Sequence, residues 1–127
     1  MIHPARNEKS CILVCVTVQK ECDRLIRWGK EQADETGLPL HVLHISSEKN
    51  LLAMPGAGDI LNHLFSLAHE ANAEMNILYD PDAPMAISRY AAQHHAKILI
   101  MGPDKSGFSL RLSRLLPEGI QLLQPEE

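Results

Sequence analysis

The chain has 127 residues, of which 45% are hydrophobic and only 4% aromatic, with a formal charge of −4 at neutral pH. That length suits one domain with an aliphatic core, expected to span 1–127 with its ordered part at about 10–124. The acidic balance argues against a nucleic-acid partner. No apolar run approaches a membrane span, so no membrane insertion is expected, and the polar opening MIHPARNEKS lacks the apolar middle of a secretory signal, which makes a cytoplasmic location the expectation.

The run CILVCVTV, Cys11 to Val18, is short, apolar and rich in β-branched residues, as expected of a strand covered on both faces. Cys11 and Cys15 would face the same side roughly 13 Å apart at about 3.3 Å per residue, too far to bridge. With Cys22 they form an odd set of three, read as reduced thiols, the first two as small buried hydrophobes. A helix is expected from about Glu21 to Thr36, with Cys22, Leu25, Ile26, Gly29 and Ala33 on its apolar face and Gly37 and Pro39 stopping it. LHVLHIS, Leu40 to Ser46, reads as a second strand. Ser47 to Gly58 reads as a loop. Asp59 to Ala73 reads as a helix with a stripe of Ile60, Leu61, Leu64, Leu67, Ala68 and Ala71. Glu74 to Tyr79 is the third strand. Asp82 can cap a helix carrying Pro84 in its first turn, which runs to about His95 and buries Ile87 and Ala91. Lys97 to Met101 is the fourth strand, Ser109 to Leu116 a short helix closed by Pro117 and Gly119, and Ile120 to Leu123 a final strand. Such strict alternation of strand and helix implies an α/β fold, an open five-stranded, mainly parallel sheet with helices on both faces.

This order of elements, with ILVCVTV as first strand, LHVLHIS as second and APMAISRYAAQHHAKILIMG as third helix and fourth strand, resembles the universal stress protein family over roughly residues 10 to 124. The segment DRLIRWGKEQADETGLPLHVLHI is also similar to the version of this domain in KdpD potassium-sensor kinases. The resemblance implies the adenine nucleotide alpha hydrolase-like fold, with strand order 3-2-1-4-5. A crevice then opens where the order reverses, at the carboxyl ends of strands 1 and 4. The candidate ligand-binding residues there are Thr17, Val18 and Gln19 after strand 1, Ile45 and Ser46 after strand 2, and Gly102, Pro103, Asp104, Lys105, Ser106, Gly107 and Ser109 after strand 4.

Family members that bind ATP carry Gly, two residues, Gly, nine residues, then Gly with Ser or Thr. Glycines let backbone N–H groups approach phosphate, and a helix start adds positive potential. Gly102 matches the first glycine, but Lys105 stands at the second and Leu115 and Leu116 at the final pair. Setting Ser109 at the terminal hydroxyl puts Phe108 where glycine belongs and leaves the loop about seven residues short. Thr17 replaces the aspartate that ATP-binding members usually carry. The simplest reading is that Gly102, Pro103 and Gly107 only turn the chain. A remodelled anion site would use Lys105, Ser106, N–H groups near Gly107 and Ser109, and Arg111. Some KdpD-type domains bind cyclic di-AMP. On their motif Thr17 keeps a hydroxyl and His44 would take the place of a stacking ring, the other defining side chains being absent.

Seven histidines raise a metal hypothesis. His41 and His44 fall on opposite faces of a strand, His63 and His69 are separated by about 600° of helix, and His94 and His95 diverge, so no three ligands converge and the histidines are read as scattered surface or half-buried groups. No spacing suggests catalysis. Lys105, Arg111 and Arg114 form a small basic patch, a solvated face or a docking surface for an anion. The resemblance implies a homodimer paired through the C-terminal edge strand, and a regulatory or stress-response protein that acts by binding, without enzymatic activity. Its expected partners are a small anionic ligand or another protein. No cofactor is required, with ATP or another adenine nucleotide as the lesser option. The alternatives are a weak ATP-binding or ATP-hydrolysing protein and a KdpD-like signalling or protein-interaction module.

Overall fold

In the computed structural model, which describes residues 10–16, 22–46, 55–102 and 107–124, strands and helices alternate without exception among the described residues. They are β1 (Cys11–Cys15), α1 (Cys22–Thr36), β2 (Leu40–Ser46), α2 (Ala57–Glu70), β3 (Glu74–Tyr79), α3 (Ala83–Gln93), β4 (Ala96–Ile100), α4 (Phe108–Leu115) and β5 (Gln121–Leu123). The strands form one parallel sheet in the order β3-β2-β1-β4-β5. β1 lies at the centre, and Ile12, Leu13 and Val14 have no exposed surface. That accounts for its unbroken apolar sequence, because a central strand has no solvent side on which to place polar residues.

The side chains of β1 sort onto two cores by alternation. Ile12, Val14 and Val16 join Leu40 and Val42 of β2, Ile100 of β4, and Leu25, Ile26, Leu61, Leu64 and Ala68 of α1 and α2. Cys11 and Leu13 face the other way, with Leu43, Ile87, Tyr90, Ala91, Leu99 and Leu112, and Cys15 packs against that group, so the two thiols share a face as their spacing requires. Gly29 marks the closest approach of helix to sheet. A Cβ there would collide with Val14 Cγ2.

The element ends show local chemistry. Gly37 takes φ 75° and its N–H reaches the Ala33 carbonyl at 2.8 Å, stopping α1 where expected. α2 stops at Glu70, short of the expected Ala73, because Asn72 adopts φ 58°. Its N–H bonds the His69 carbonyl and Ala73 N–H the Ala68 carbonyl, a Schellman closure that the apolar stripe alone does not reveal. α3 opens as read: Asp82 accepts from Met85 N–H at 3.4 Å, and Asp80 Oδ1 accepts from Asp82 N–H at 2.8 Å. β4 and α4 each begin one residue earlier than the expected Lys97 and Ser109. The expected strand positions Thr17 and Val18 and the termini 1–9 and 125–127 lie outside the described residues.

Candidate functional site

The strand order reverses between β1 and β4, since β1 connects through α1 to β2 on one side while β4 lies on the other. Helices follow the carboxyl ends of these two strands to opposite sides, the arrangement at which folds of this kind open a crevice. The rim residues of β1 and β4, Val16 and Gly102, each stand two residues beyond the Val14–Ile100 pair.

Of the candidate residues, Ile45 and Ser46 close β2. Ile45 is half-buried against the core of the α3 and α4 side, and Ser46 is buried, with its carbonyl accepting from Asp80 N–H at 2.9 Å. Gly102 follows β4. Its carbonyl accepts from Gln124 Nε2 at 3.0 Å, while Met101 N–H reaches the Leu123 carbonyl at 3.1 Å. The β4 rim is thus tied to the edge strand by a side chain that the sequence reading did not single out. Gly107, in the left-handed region at φ 84°, immediately precedes α4, and its carbonyl accepts from Arg111 N–H. Ser109 lies half-exposed in the first turn. Thr17, Val18, Gln19, Pro103, Asp104, Lys105 and Ser106 lie outside the described residues. Four residues, 103–106, separate Gly102 from Gly107.

Two expectations are corrected by side-chain partners. Arg111, counted towards an anion at the helix start, donates from Nη2 to Asp82 Oδ2 at 2.9 Å and ties α4 to the start of α3. The local basic patch is accordingly smaller than the sequence suggests. His44, placed as a stand-in for a stacking ring, is only 6% exposed. Its Nδ1 lies 2.9 Å from the Val16 carbonyl. A carbonyl only accepts, so Nδ1 carries a proton, and Nε2 has no partner among the described residues. This imidazole holds the end of β1 to β2 and offers no open face for a base.

Like His44, three further histidines have specific partners, His41, His63 and His94. His63 Nε2 on α2 lies 3.0 Å from both carboxylate oxygens of Asp23 on α1. His41 and His94 meet around Tyr90 at the opposite end of the sheet from the crevice. Positions 41, 90 and 94 give no sign of this in the sequence, because only the β2–α3 packing brings them together. Among the described residues no group of three or more His, Cys, Asp or Glu could hold a metal ion. Nor is any helix among them long and apolar enough to cross a membrane. Cys11 and Cys15 are free thiols. Burial pushes Cys11 up to about 11, with Glu74 adding to it, and Cys15 up to about 12, so neither is a ready nucleophile.

Comparison with known proteins agrees with this architecture. The chain is 28% identical to the sensor protein KdpD of Escherichia coli (strain K12) over 95% of its own length, and spans 15% of the length of that relative. The universal stress protein from Archaeoglobus fulgidus in complex with dAMP superposes with a TM-score of 0.74 at 17% identity, covering 94% of this chain and 99% of that one. A universal stress protein in complex with cAMP superposes with a TM-score of 0.67 at 16% identity, covering 92% and 96%. These likenesses carry the fold, an open parallel sheet in the order 3-2-1-4-5 with helices on both faces. The family model for the universal stress proteins matches residues 11–115, from β1 to the end of α4, and the chain belongs to the universal stress protein family.

Proposed function

We propose that the chain is a regulatory binding protein without enzymatic activity, and that its crevice receives a small anion instead of ATP. The observation that carries this reading is the short span between Gly102 at the end of β4 and Gly107 before α4, four residues where ATP-binding relatives have a long glycine-rich loop. Such a span can present a few N–H groups and a helix start to one phosphate. It lacks the length to wrap three. Lys105, Ser106 and Ser109 are the side chains proposed to meet the anion, with Thr17, Val18, Gln19, Ile45, Ser46, Pro103 and Asp104 lining the rest. Thr17 in place of an aspartate removes a carboxylate that could hold a metal or ribose. Two fold neighbours are complexes with the monophosphates dAMP and cAMP, which supports a ligand of that size.

Thermal unfolding against inorganic phosphate, AMP, ADP, ATP and cyclic di-AMP tests the proposal. A ligand at about 100 times its Kd adds about 2.7 kcal/mol, a shift of several degrees for a domain of this size. The expected result is a shift with AMP or phosphate that ATP does not exceed, and that Lys105→Ala or Ser109→Ala abolishes. A shift confined to ATP overturns the size limit, and no shift with any of them removes the crevice as a nucleotide site.

The similarity to KdpD supports a second reading, in which the fold serves as a signalling or protein-interaction module. One stoichiometric partner recovered with the protein, together with no nucleotide shift, favours that reading. A cytoplasmic location and a homodimer paired through β5 complete the proposal. Light scattering at rising concentration should read twice the monomer mass, and a monomer throughout overturns the dimer.

A further inference from the structure

At the amino ends of β2 and β3, far from the crevice, the last turns of α3 meet the sheet through polar groups. His41 and Glu74 are register partners on neighbouring strands and share the α3 face. Asn76 lies two residues on from Glu74, and Tyr90 packs over both strands from α3. The hydrogen bonds have one consistent direction. The Glu74 carboxylate only accepts, so the Asn76 atom facing Glu74 Oε2 at 3.2 Å is its amide nitrogen. That nitrogen also donates to Tyr90 Oη at 2.8 Å. The acceptor found for the Tyr90 hydroxyl proton among the described residues is His41 Nδ1, 2.7 Å away, which then presents its lone pair. His41 is therefore neutral, with its proton on Nε2. His94 stacks on Tyr90 with ring centroids 4.0 Å apart and lies 5.2 Å from His41.

We infer that His41, Tyr90 and His94 form a proton-operated clasp holding the last turn of α3 to β2 and β3, closed while His41 is neutral and loosened when it takes a proton. A proton on Nδ1 turns the only acceptor for the Tyr90 hydroxyl among the described residues into a donor. Tyr90 Oη then faces two donors, and its own proton, in a buried place, has no partner among the described residues. The new charge also sits beside the His94 ring. The groups facing His41 are Glu74 from β3, which favours the proton, and His94 from α3, which opposes it. Burial is the largest influence and also opposes it, so His41 lies below its ordinary value. Tyr90 is pushed up by burial, then by Glu74 and by Cys11 of β1, with a smaller contribution from Cys15, so its proton stays in the clasp. The proposal does not depend on what the crevice binds.

Amide hydrogen exchange on the whole chain tests it, read residue by residue at about pH 7.5 and about pH 5.5, on either side of the histidine range, and corrected for intrinsic rates. Loss of one net hydrogen bond predicts a roughly five-fold rise in local opening at the lower pH. The rise should occur at Asn76 and at residues 91–94 and be absent at Leu64 and Leu99. In His41→Gln, whose amide oxygen can still accept from Tyr90, the pH dependence should vanish while protection at the higher pH remains. Equal protection at both pH values in the unaltered chain overturns the clasp, as does a pH dependence that survives in His41→Gln. If that variant does not fold, the imidazole nitrogen shifts of the unaltered chain decide. At neutral pH they should show His41 protonated on Nε2, and a proton on Nδ1 overturns the proposal.

Discussion

On the α1 and α2 face of the sheet, Ile12, Val14, Leu40, Val42, Leu61 and Leu64 meet in a core whose only buried polar side chains among the described residues belong to the rim of β2. On the α3 and α4 face, Leu13, Leu43 and Leu99 share their core with Tyr90, Cys11 and Cys15, ringed by His41, Asn76, Ser88 and the Asp82–Arg111 pair. All four titratable groups with a displaced pKa among the described residues lie on this second face. One face is held mainly by shape and area, with His44 at the rim of β2 and the exposed His63–Asp23 pair as its titratable contacts. The other is held partly by hydrogen bonds of fixed direction, which protonation can reverse.

The comparison can be broken most severely from the aliphatic side. Leu64 has no exposed surface, so Leu64→Ala should cost about 2–5 kcal/mol, measured by denaturant unfolding, with no dependence on pH. Gly29→Ala should cost roughly 1–3 kcal/mol by overpacking, because the new Cβ collides with the stiff, buried Val14. A neutral result would show that α1 can move off the sheet. On the polar face, Tyr90→Phe should cost about 1–2 kcal/mol, since it leaves His41 Nδ1 and one Asn76 donor without their partner.

A smaller change should come from pH alone. Burial lowers His41 from its ordinary 6.5, so the unfolded chain takes up that proton first. The contribution is complete above the unfolded value and is lost as pH falls from there through the lower folded value. Urea midpoints should therefore drop on acidification below about pH 6.5, less so in His41→Gln. A flat profile in the unaltered chain would erase the difference between the faces. The least effect is expected of Arg111→Ala. Its pair with Asp82 is exposed at both ends, 57% and 40%, and should contribute less than about 1 kcal/mol.

Much of the fold was legible because each signal was local. β2 and β3 have the bounds their alternation and length suggest, Leu40–Ser46 and Glu74–Tyr79, and Asp82 caps α3 as its spacing before Pro84 requires. α2 was read two residues late at its start, where Ala57 and Gly58 were taken as loop, and three residues past its end, because Ala71 continues its apolar stripe. Only the left-handed Asn72 shows that the backbone has already closed. The site was legible in outline alone. Gly102 and Gly107 could be found by their place after an apolar strand, but the tie from Gln124 to Gly102 and the diversion of Arg111 to Asp82 join residues 22 and 29 positions apart. No periodicity encodes such pairs.

The class of the protein was readable from the sequence: alternating strands and helices, a doubly covered β1 and thiols too far apart to pair, the shortness of the loop after β4 being legible only through the family resemblance. These properties follow from residue type and spacing over a few positions. Distant packing adds that His44 holds Val16 and offers no stacking face, that His41, Tyr90 and His94 form one cluster, and that the four groups with a displaced pKa among the described residues fall on one face of the sheet. Those outcomes depend on burial and on hydrogen-bond direction, which exist only once distant segments have packed against each other.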